Sequence, residues 1–334
     1  MITVLSGFFL LALAAPVAAR VLRAATGWAL SLPVAAATLY FAAQAPGVAS
    51  NTQIVERLAW VSSLGLELAL RLDGLSLLFA VLVLGTATVI LIYAQGYLGG
   101  HPQLGRFYAA LLTFTGSMLG LVLADNLIAL LVFWELTSIS SYLLIGFDHN
   151  NADARRSALQ ALLVTGGGGL ALMAGFLLLG TAAGSWDLHA IVTGGSLAGH
   201  SLYMPILGLV AVGAATKSAQ VPFHFWLPGA MAAPAPVSAF LHSATMVKAG
   251  IYLLARLHPA LGGTDMWVGS LVAMGGVTFV SGAAIAYAQT DMKRMLAYST
   301  VSMLGVMVML IGVGSTATMT AAMALCWHTR SIRL

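Results

Sequence analysis

Thr216-Lys217-Ser218-Ala219-Gln220-Val221-Pro222-Phe223-His224-Phe225-Trp226-Leu227-Pro228 interrupts an apolar run that starts near residue 202 and is long enough to cross a membrane. Proline removes a backbone donor and clashes with the preceding turn. Pro222 and Pro228 therefore bracket a break that frees carbonyls at membrane depth, with His224 between them. Irregular backbone is tolerated there only against protein or a water-filled cavity, and broken helices mark ion sites in many transporters. The plainer alternative is that one of these prolines ends a helix at the interface, and that His224 is a hydrogen-bonded core residue.

Outward from this break the chain is apolar. Hydrophobic residues make up 60% of it and charged residues 7%, with a mean hydropathy of +0.96, whereas soluble proteins carry about 25% charged residues. The long runs do not alternate apolar and polar residues as a membrane barrel does. The fold class is all-α and polytopic, with about 10–11 transmembrane helices of ~20–25 residues. The expected spans are 2–19, 25–45, 73–95, 107–124, 126–147, 158–182, 202–226 (broken), 236–257, 267–288 and 295–314, and an eleventh starts near 317 and stops short. The longest connection, 46–71, carries Glu56, Arg57, Glu67 and Arg71 and reads as extramembrane.

Arg20 and Arg23 follow the first apolar run instead of preceding it. That order fits a retained helix with its amino end outside better than a cleaved signal peptide. In this orientation Arg20, Arg23, Arg106, Arg155, Arg156, Lys293 and Arg294 fall on the cytoplasmic side, and Arg57, Arg71 and Arg256 outside, which satisfies the positive-inside rule. The lone Cys326 excludes an intramolecular disulfide and a cysteine-ligated iron–sulfur cluster. No basic stripe with interleaved aromatics points to nucleic acid. Gly166-Gly167-Gly168-Gly169 lacks the lysine and strand of a phosphate loop and reads as a place where helices approach closely. No cofactor or metal site is expected.

The charges inside the apolar runs need a reason, because an ionisable group at bilayer depth costs at least ~2.5–3.5 kcal/mol and usually marks an ion or proton path. Glu135 lies within Leu131-Val132-Phe133-Trp134-Glu135-Leu136, Lys217 at the break, and Lys248 within Met246-Val247-Lys248-Ala249-Gly250. Read blandly, Glu135 is a buried carboxyl kept uncharged. Read functionally, it shares an ion pair with Lys217, whose proton affinity would then depend on where the carboxylate points. His242 and Lys248 are expected on one helix, 236–257, where six residues give ~9 Å of rise and ~120° of rotation. A relay through both would need water or another group between them, and His242 is equally readable as a hydrogen-bonded core histidine. Asp73 in Asp73-Gly74-Leu75-Ser76 reads as a helix cap, and Asp125 before the fifth span reads the same way.

These residues, in this order, resemble the antiporter-like membrane subunits shared by multisubunit (Mrp-type) Na+/H+ antiporters and respiratory NADH:quinone oxidoreductase (complex I), most of all the amino-terminal portion of the antiporters' A-type subunits. The resemblance rests on Thr216 to Pro228, on Ala232-Ala233-Pro234-Ala235-Pro236-Val237-Ser238, and on Leu241-His242-Ser243-Ala244-Thr245-Met246-Val247-Lys248-Ala249-Gly250. Tyr93-Ala94-Gln95-Gly96-Tyr97-Leu98 and Asp291-Met292-Lys293-Arg294-Met295-Leu296-Ala297-Tyr298-Ser299 extend it. It implies two inverted five-helix repeats, each with a broken helix, the first being the seventh span.

It further implies a proton relay of Glu135, Lys217, His242 and Lys248, in which separating Glu135 from Lys217 drives the lysine's proton along a central polar axis in exchange for Na+. The chain would be one member of a hetero-oligomeric antiporter in the bacterial inner membrane, with no chemistry of its own. The alternatives are a proton-pumping subunit of the oxidoreductase and an inactive fragment. The implied domains are 1–64, amino-terminal helices and external loop; 65–110, an amino-terminal antiporter region; and 111–325, an incomplete proton-translocating domain. Residues 326–334 depart from the pattern and truncate the second repeat: Cys326-Trp327-His328-Thr329-Arg330-Ser331-Ile332-Arg333-Leu334 turns abruptly basic. One coding of this tail, read one base earlier, yields Val-Leu-Ala-His-Ala-Leu-Tyr-Lys-Ala, so a frameshift near Leu325 is the expected origin.

Overall fold

A backbone at membrane depth must close its hydrogen bonds internally, and apolar runs of this length do so as helices. The computed structural model describes residues 1–50, 52–61 and 66–331, and 332–334 at the end of the tail lie outside them. The chain runs through α1 (Ile2–Leu22), α2 (Thr26–Ala43), α3 (Ala45–Ala49), β1 (Ile54–Val61), β2 (Leu66–Leu72), α4 (Gly74–Tyr97), α5 (Leu104–Leu123), α6 (Leu127–Ile145), α7 (Ala152–Ala183) and α8 (Leu188–Thr193). It continues through α9 (Tyr203–Lys217), α10 (Trp226–Gly229), α11 (Ala235–Ser238), α12 (Lys248–Leu261), α13 (Asp265–Tyr287), α14 (Met292–Val313) and α15 (Thr316–Ser331).

Among the described residues, seven helical stretches are long and apolar enough to cross a membrane, the first of which, Ile2–Ala49, holds both α1 and α2. The remaining expected spans fall on the broken helices between α9 and α12 and on α15. The reading of a multi-span membrane protein with helical spans holds.

Three details differ from the sequence reading. The connection 46–71 contains a β-hairpin as well as a loop. Leu66-Glu67-Leu68-Ala69-Leu70-Arg71-Leu72 alternates at the strand period, and β2 pairs antiparallel with β1 from Ile54↔Leu72 to Ala59↔Glu67. Leu70 and Leu72 are buried against the helix ends, and the Asp125 amide donates to the Ala69 carbonyl at 2.8 Å. Secondly, Asp125 is not the cap of α6. Asn126 fills that place, accepting from the Ile128 and Ala129 amides, while Asp125 bonds Arg71 at 2.8 Å. Thirdly, residues 326–331 continue α15 as helix, with Cys326 buried, because the switch to polar residues leaves Cys326 and Thr329 on the inner face and Trp327 and His328 outside.

Charge is distributed unevenly between the two ends of the bundle. Every ion pair among the described residues lies at the hairpin end: Met1 amine–Glu56, Arg57–Glu67, Arg57–Asp187, Arg71–Asp125 and Arg256–Asp73. Asp73 also makes the capping box of α4 with Ser76, as read from the sequence. Removing one member of a well-buried pair strands the other and costs about 3–5 kcal/mol. The half-exposed Arg57–Glu67 contact, at 3.5 Å, is worth about 0–1 kcal/mol.

Candidate functional site

The interior polar site is built where α6, α7 and α9 meet. Glycine makes this meeting possible. A Cβ on Gly168 of α7 would stand 1.7 Å from Thr216 Oγ1, and one on Gly169 would stand 1.6 Å from Glu135 Oε1. The glycine run thus forms a notch into which α9 inserts Thr216 and α6 inserts the Glu135 carboxyl. The close-packing reading holds for Gly168 and Gly169, whereas a Cβ on Gly166 or Gly167 would meet nothing within 4 Å, and the notch receives the Glu135 carboxyl and the residue before Lys217.

Lys217 is the last residue of α9 and is fully buried. Its Nζ donates to the Trp134 carbonyl at 2.9 Å and to Ser138 Oγ at 2.7 Å, and lies 5.0 Å from the Trp134 ring centroid. All three contacts come from one stretch of α6, the turn that also carries Glu135. The ion pair expected between Glu135 and Lys217 is not formed: the carboxyl turns toward Gly169, and its buried Oε1 accepts no hydrogen bond. The amine is therefore held by a carbonyl, a hydroxyl and an aromatic face, with the carboxyl close by and not bonded to it.

The break after Lys217 is real, and several of its loose ends are tied while the buried Gln220 Oε1 is left without a partner among the described residues. Ala219 takes φ +48°, a left-handed conformation that costs an L residue roughly 1–2 kcal/mol. The Trp226 indole donates to the Thr216 carbonyl at 2.9 Å, Gln220 Nε2 donates to the Ser218 carbonyl at 3.0 Å, and the Val221 amide donates to Thr278 Oγ1 of α13 at 3.0 Å. Pro222 leads into a 3-10 turn, Phe223–Phe225, and Pro228 sits inside the short α10. His224 is half-buried in that turn, its ring centroid 6.3 Å from that of Tyr298 on α14; the Pro222 carbonyl interacts with the ring, and no hydrogen bond of good geometry reaches Nδ1 among the described residues.

His242 and Lys248 do not share one continuous helix, which corrects the reading of 236–257. α11 passes into a π turn, Ala239–Ala244, and Thr245 leaves helical geometry at φ −129°, ψ −78° before α12 starts at Lys248. The rise and rotation of a regular helix therefore do not apply between them. His242 is buried, its ring 6.0 Å from that of Trp226; the Ala230 backbone carbonyl interacts with the ring, but no hydrogen bond of good geometry reaches either nitrogen among the described residues. His242 lines a cavity of about 320 Å³ shared with Tyr93, Ser238, Lys293 and Thr300. Lys248, also buried, donates to the Cys326 carbonyl of α15 at 2.6 Å. Gly250, two residues into α12, packs so tightly on the end of α9 that a Cβ would lie 2.5 Å from the Ala214 carbonyl oxygen.

Sequence reasoning missed Ser138, Thr278 and the Trp226 indole. Ser138 had a visible signal, since Thr137-Ser138-Ile139-Ser140-Ser141 is a hydroxyl-rich run inside a spanning helix. Thr278 had none, being one threonine in an otherwise ordinary apolar span.

Two family models match the chain. One, described as NADH:quinone oxidoreductase/Mrp antiporter, TM, matches residues 124–331; the other, NADH-Ubiquinone oxidoreductase (complex I), chain 5 N-terminus, matches residues 59–108. The chain is 47% identical over 307 residues to a probable K(+)/H(+) antiporter A/B subunit of Rhizobium meliloti, covering 92% of this chain and 30% of the relative. It is 44% identical over 291 residues to the A1 subunit of a Na(+)/H(+) antiporter of Staphylococcus haemolyticus, covering 86% and 36%. The chain thus spans about a third of the length of these curated relatives. A chain in the structure of the Mrp complex from Dietzia sp. DQ12-45-1b superposes with a TM-score of 0.90 at 38% identity, over 99% of this chain and 36% of that one. The fold, the polar break inside the membrane and the match over residues 124–331 agree: this chain belongs to the NADH:quinone oxidoreductase/Mrp antiporter transmembrane family.

Proposed function

We propose that this chain is the proton-carrying membrane part of a monovalent cation/proton antiporter subunit, working with partner subunits in a bacterial inner membrane. The observation that carries the proposal is Lys217. It is an ionisable amine fully buried between helices, held by neutral acceptors, beside a carboxyl whose buried oxygen has no hydrogen-bond partner among the described residues. A lysine kept only for structure would gain by pairing, because an unpaired buried charge is costly. Leaving Glu135 free to approach and withdraw provides a two-position switch for the lysine's proton.

In this reading Glu135 sets whether Lys217 holds its proton, and His242 and Lys248 receive and pass it. The break at Pro222–Pro228 supplies the irregular backbone around the transfer, with His224 on its lining. Water in the cavity beside His242 would complete the hydrogen bonding of its ring. Lys293, which lines that cavity, also lines a larger one of about 830 Å³ at the end opposite the hairpin, which supports water access from that side. We place the hairpin end outside. The arginines there are each paired, whereas Arg20, Arg23, Arg106, Arg155, Arg156, Lys293 and Arg294 at the other end have no ion-pair partner among the described residues, as the positive-inside rule favours.

The relatives' names print K+ in one case and Na+ in another, and we take Na+ as the first coupling ion to test. The test is Na+/H+ and K+/H+ exchange in vesicles from antiporter-deficient cells, with the chain expressed beside its neighbouring subunits. Exchange that falls at least tenfold in Lys217→Ala, at equal membrane insertion, supports the reading. Exchange unchanged in Lys217→Ala overturns it. The family description also names the quinone oxidoreductase; that second reading predicts no cation exchange and instead redox-driven proton movement with quinone-reducing partners.

A further inference from the structure

The end of the bundle opposite the hairpin has two basic cavities, and they differ in one respect. The first lies between α7, α10 and α14, where Arg156, Lys293 and Arg294 share the walls with Asp153 and Asp291. The second, of about 1090 Å³, lies where α1, α2, α4 and α5 converge, and its charged lining is Arg20, Arg23 and Arg106 with no carboxylate at all. None of these three arginines has an ion-pair partner among the described residues; Arg106 reaches only Gln103 Oε1, at 3.4 Å. Arg23 closes α1 at φ +46°, a conformation uncommon for a bulky side chain, so the corner holds its arginine at a backbone cost. Trp28, 59% exposed, stands on the wall as tryptophan does at membrane interfaces.

We propose that this second cavity binds the phosphate of an anionic phospholipid headgroup. Three guanidiniums with free donors match phosphate oxygens in charge and in fork geometry. Basic pockets between transmembrane helices are known to hold anionic headgroups. The apolar side of the same cavity, Ala19, Ile92 and Ala109, is where the acyl chains would leave. A free phosphate offers the same chemistry to the arginines but has no use for that apolar side or for Trp28. The cavity is as large as the upper end of the ~300–1,000 Å³ typical of small-molecule sites. The proposal is independent of the transport reading, since it concerns neither Lys217 nor the break.

The test is native mass spectrometry of the purified chain in detergent with added phosphatidylglycerol or phosphatidylcholine. We expect one retained phosphatidylglycerol, no comparable retention of phosphatidylcholine, and retention weakened on the order of a hundredfold by Arg20→Gln/Arg23→Gln/Arg106→Gln, taking each cation near a lipid headgroup at its usual worth. Arg156→Gln/Lys293→Gln/Arg294→Gln, in the carboxylate-bearing cavity, should leave that retention unchanged. Equal retention in the first triple variant, or equal retention of the zwitterionic lipid, overturns the proposal. So does inorganic phosphate competing at concentrations comparable to the lipid, which would assign the site to the free ion. Should the triple variant fail to fold, the single substitutions are each expected to weaken retention about fivefold. A second readout needs no arginine variant: dibrominated phosphatidylglycerol should quench a component of the fluorescence that Trp28→Phe removes, and no difference between the two proteins counts against the site.

Discussion

Basic side chains are held inside this molecule by two opposite means. Arg71, at the hairpin end, is held through Nε by one oxygen of a carboxylate, Asp125, at 2.8 Å, and also reaches Gln53 Oε1 at 2.5 Å; Arg256 forks onto both oxygens of Asp73. Lys217, in the middle of the bundle, is held by a carbonyl and a hydroxyl while the nearest carboxyl looks away. A guanidinium forked onto a carboxylate has one good geometry and stays in it. An ammonium on neutral acceptors has no such anchor, and its charge state responds to any carboxylate that moves. The first arrangement fastens the hairpin and helix ends; the second leaves a charge that can be switched.

The comparison breaks most visibly at its fastened end. Asp73→Asn leaves Arg256 without its counter-charge and should destabilise the chain by about 2–3 kcal/mol, read as the unfolding free energy in detergent. Adding Arg256→Met to it should restore much of the loss, and no restoration would mean that the carboxylate acts through the cap of α4 instead. Next in size, Gly168→Ala forces a Cβ into Thr216, whose own Cβ would lie 2.6 Å away. Overpacking of this kind costs about 1–3 kcal/mol and should lower exchange as well, because Thr216 precedes Lys217. Gly169→Ala meets only the end of the Glu135 side chain, so it should cost less stability while still shifting exchange.

Ser138→Ala sharpens the comparison at the switchable end. It removes one of the two acceptors of Lys217 and should cost about 1–2 kcal/mol, with a shift in the pH dependence of exchange that a merely structural serine would not produce. The smallest effect belongs to Glu56, whose carboxylate accepts from the Met1 amine and the Ile2 amide. Burial by itself would raise its pKa, but these two donors hold it below the ordinary 4.5. A lowered carboxylate contributes stability in full above its ordinary value and loses it as pH falls through the lowered one. The group is solvent-screened, so Glu56→Gln should cost at most about 1 kcal/mol at neutral pH and flatten the acid limb of stability below pH about 4.5.

Much of the molecule was legible from local chemistry. Hydropathy marked the spans because lipid excludes charge, and Pro222 and Pro228 marked the break because proline cannot continue a hydrogen-bond ladder. The hairpin was legible too but went unread, for Leu66 to Leu72 alternates plainly once the period of two is looked for. The end of the helix that was to join His242 to Lys248 was not visible, because neither proline nor glycine falls between them; the backbone leaves helical geometry at Thr245 under the packing of α12 against α9. Asp125 illustrates a subtler miss. Two adjacent residues, Asp125 and Asn126, are both good caps by type, and only the position of Arg71 decides which of them caps and which pairs.

The residues by themselves determined that the chain crosses the membrane repeatedly, where it does so, where one crossing is interrupted, and which ionisable groups are carried inside. Each of those follows from transfer cost or backbone chemistry acting within a few residues. Which groups meet was settled only in three dimensions. Asp73 and Arg256 lie 183 positions apart, and Lys217 chose a carbonyl and a serine of α6 over the glutamate beside them. Between lipid-embedded helices there is little hydrophobic force to set a partner, so the pairing rests on close steric fit. Here that fit is the notch of Gly168 and Gly169, which draws the Glu135 carboxyl to α7 and leaves Lys217 without it.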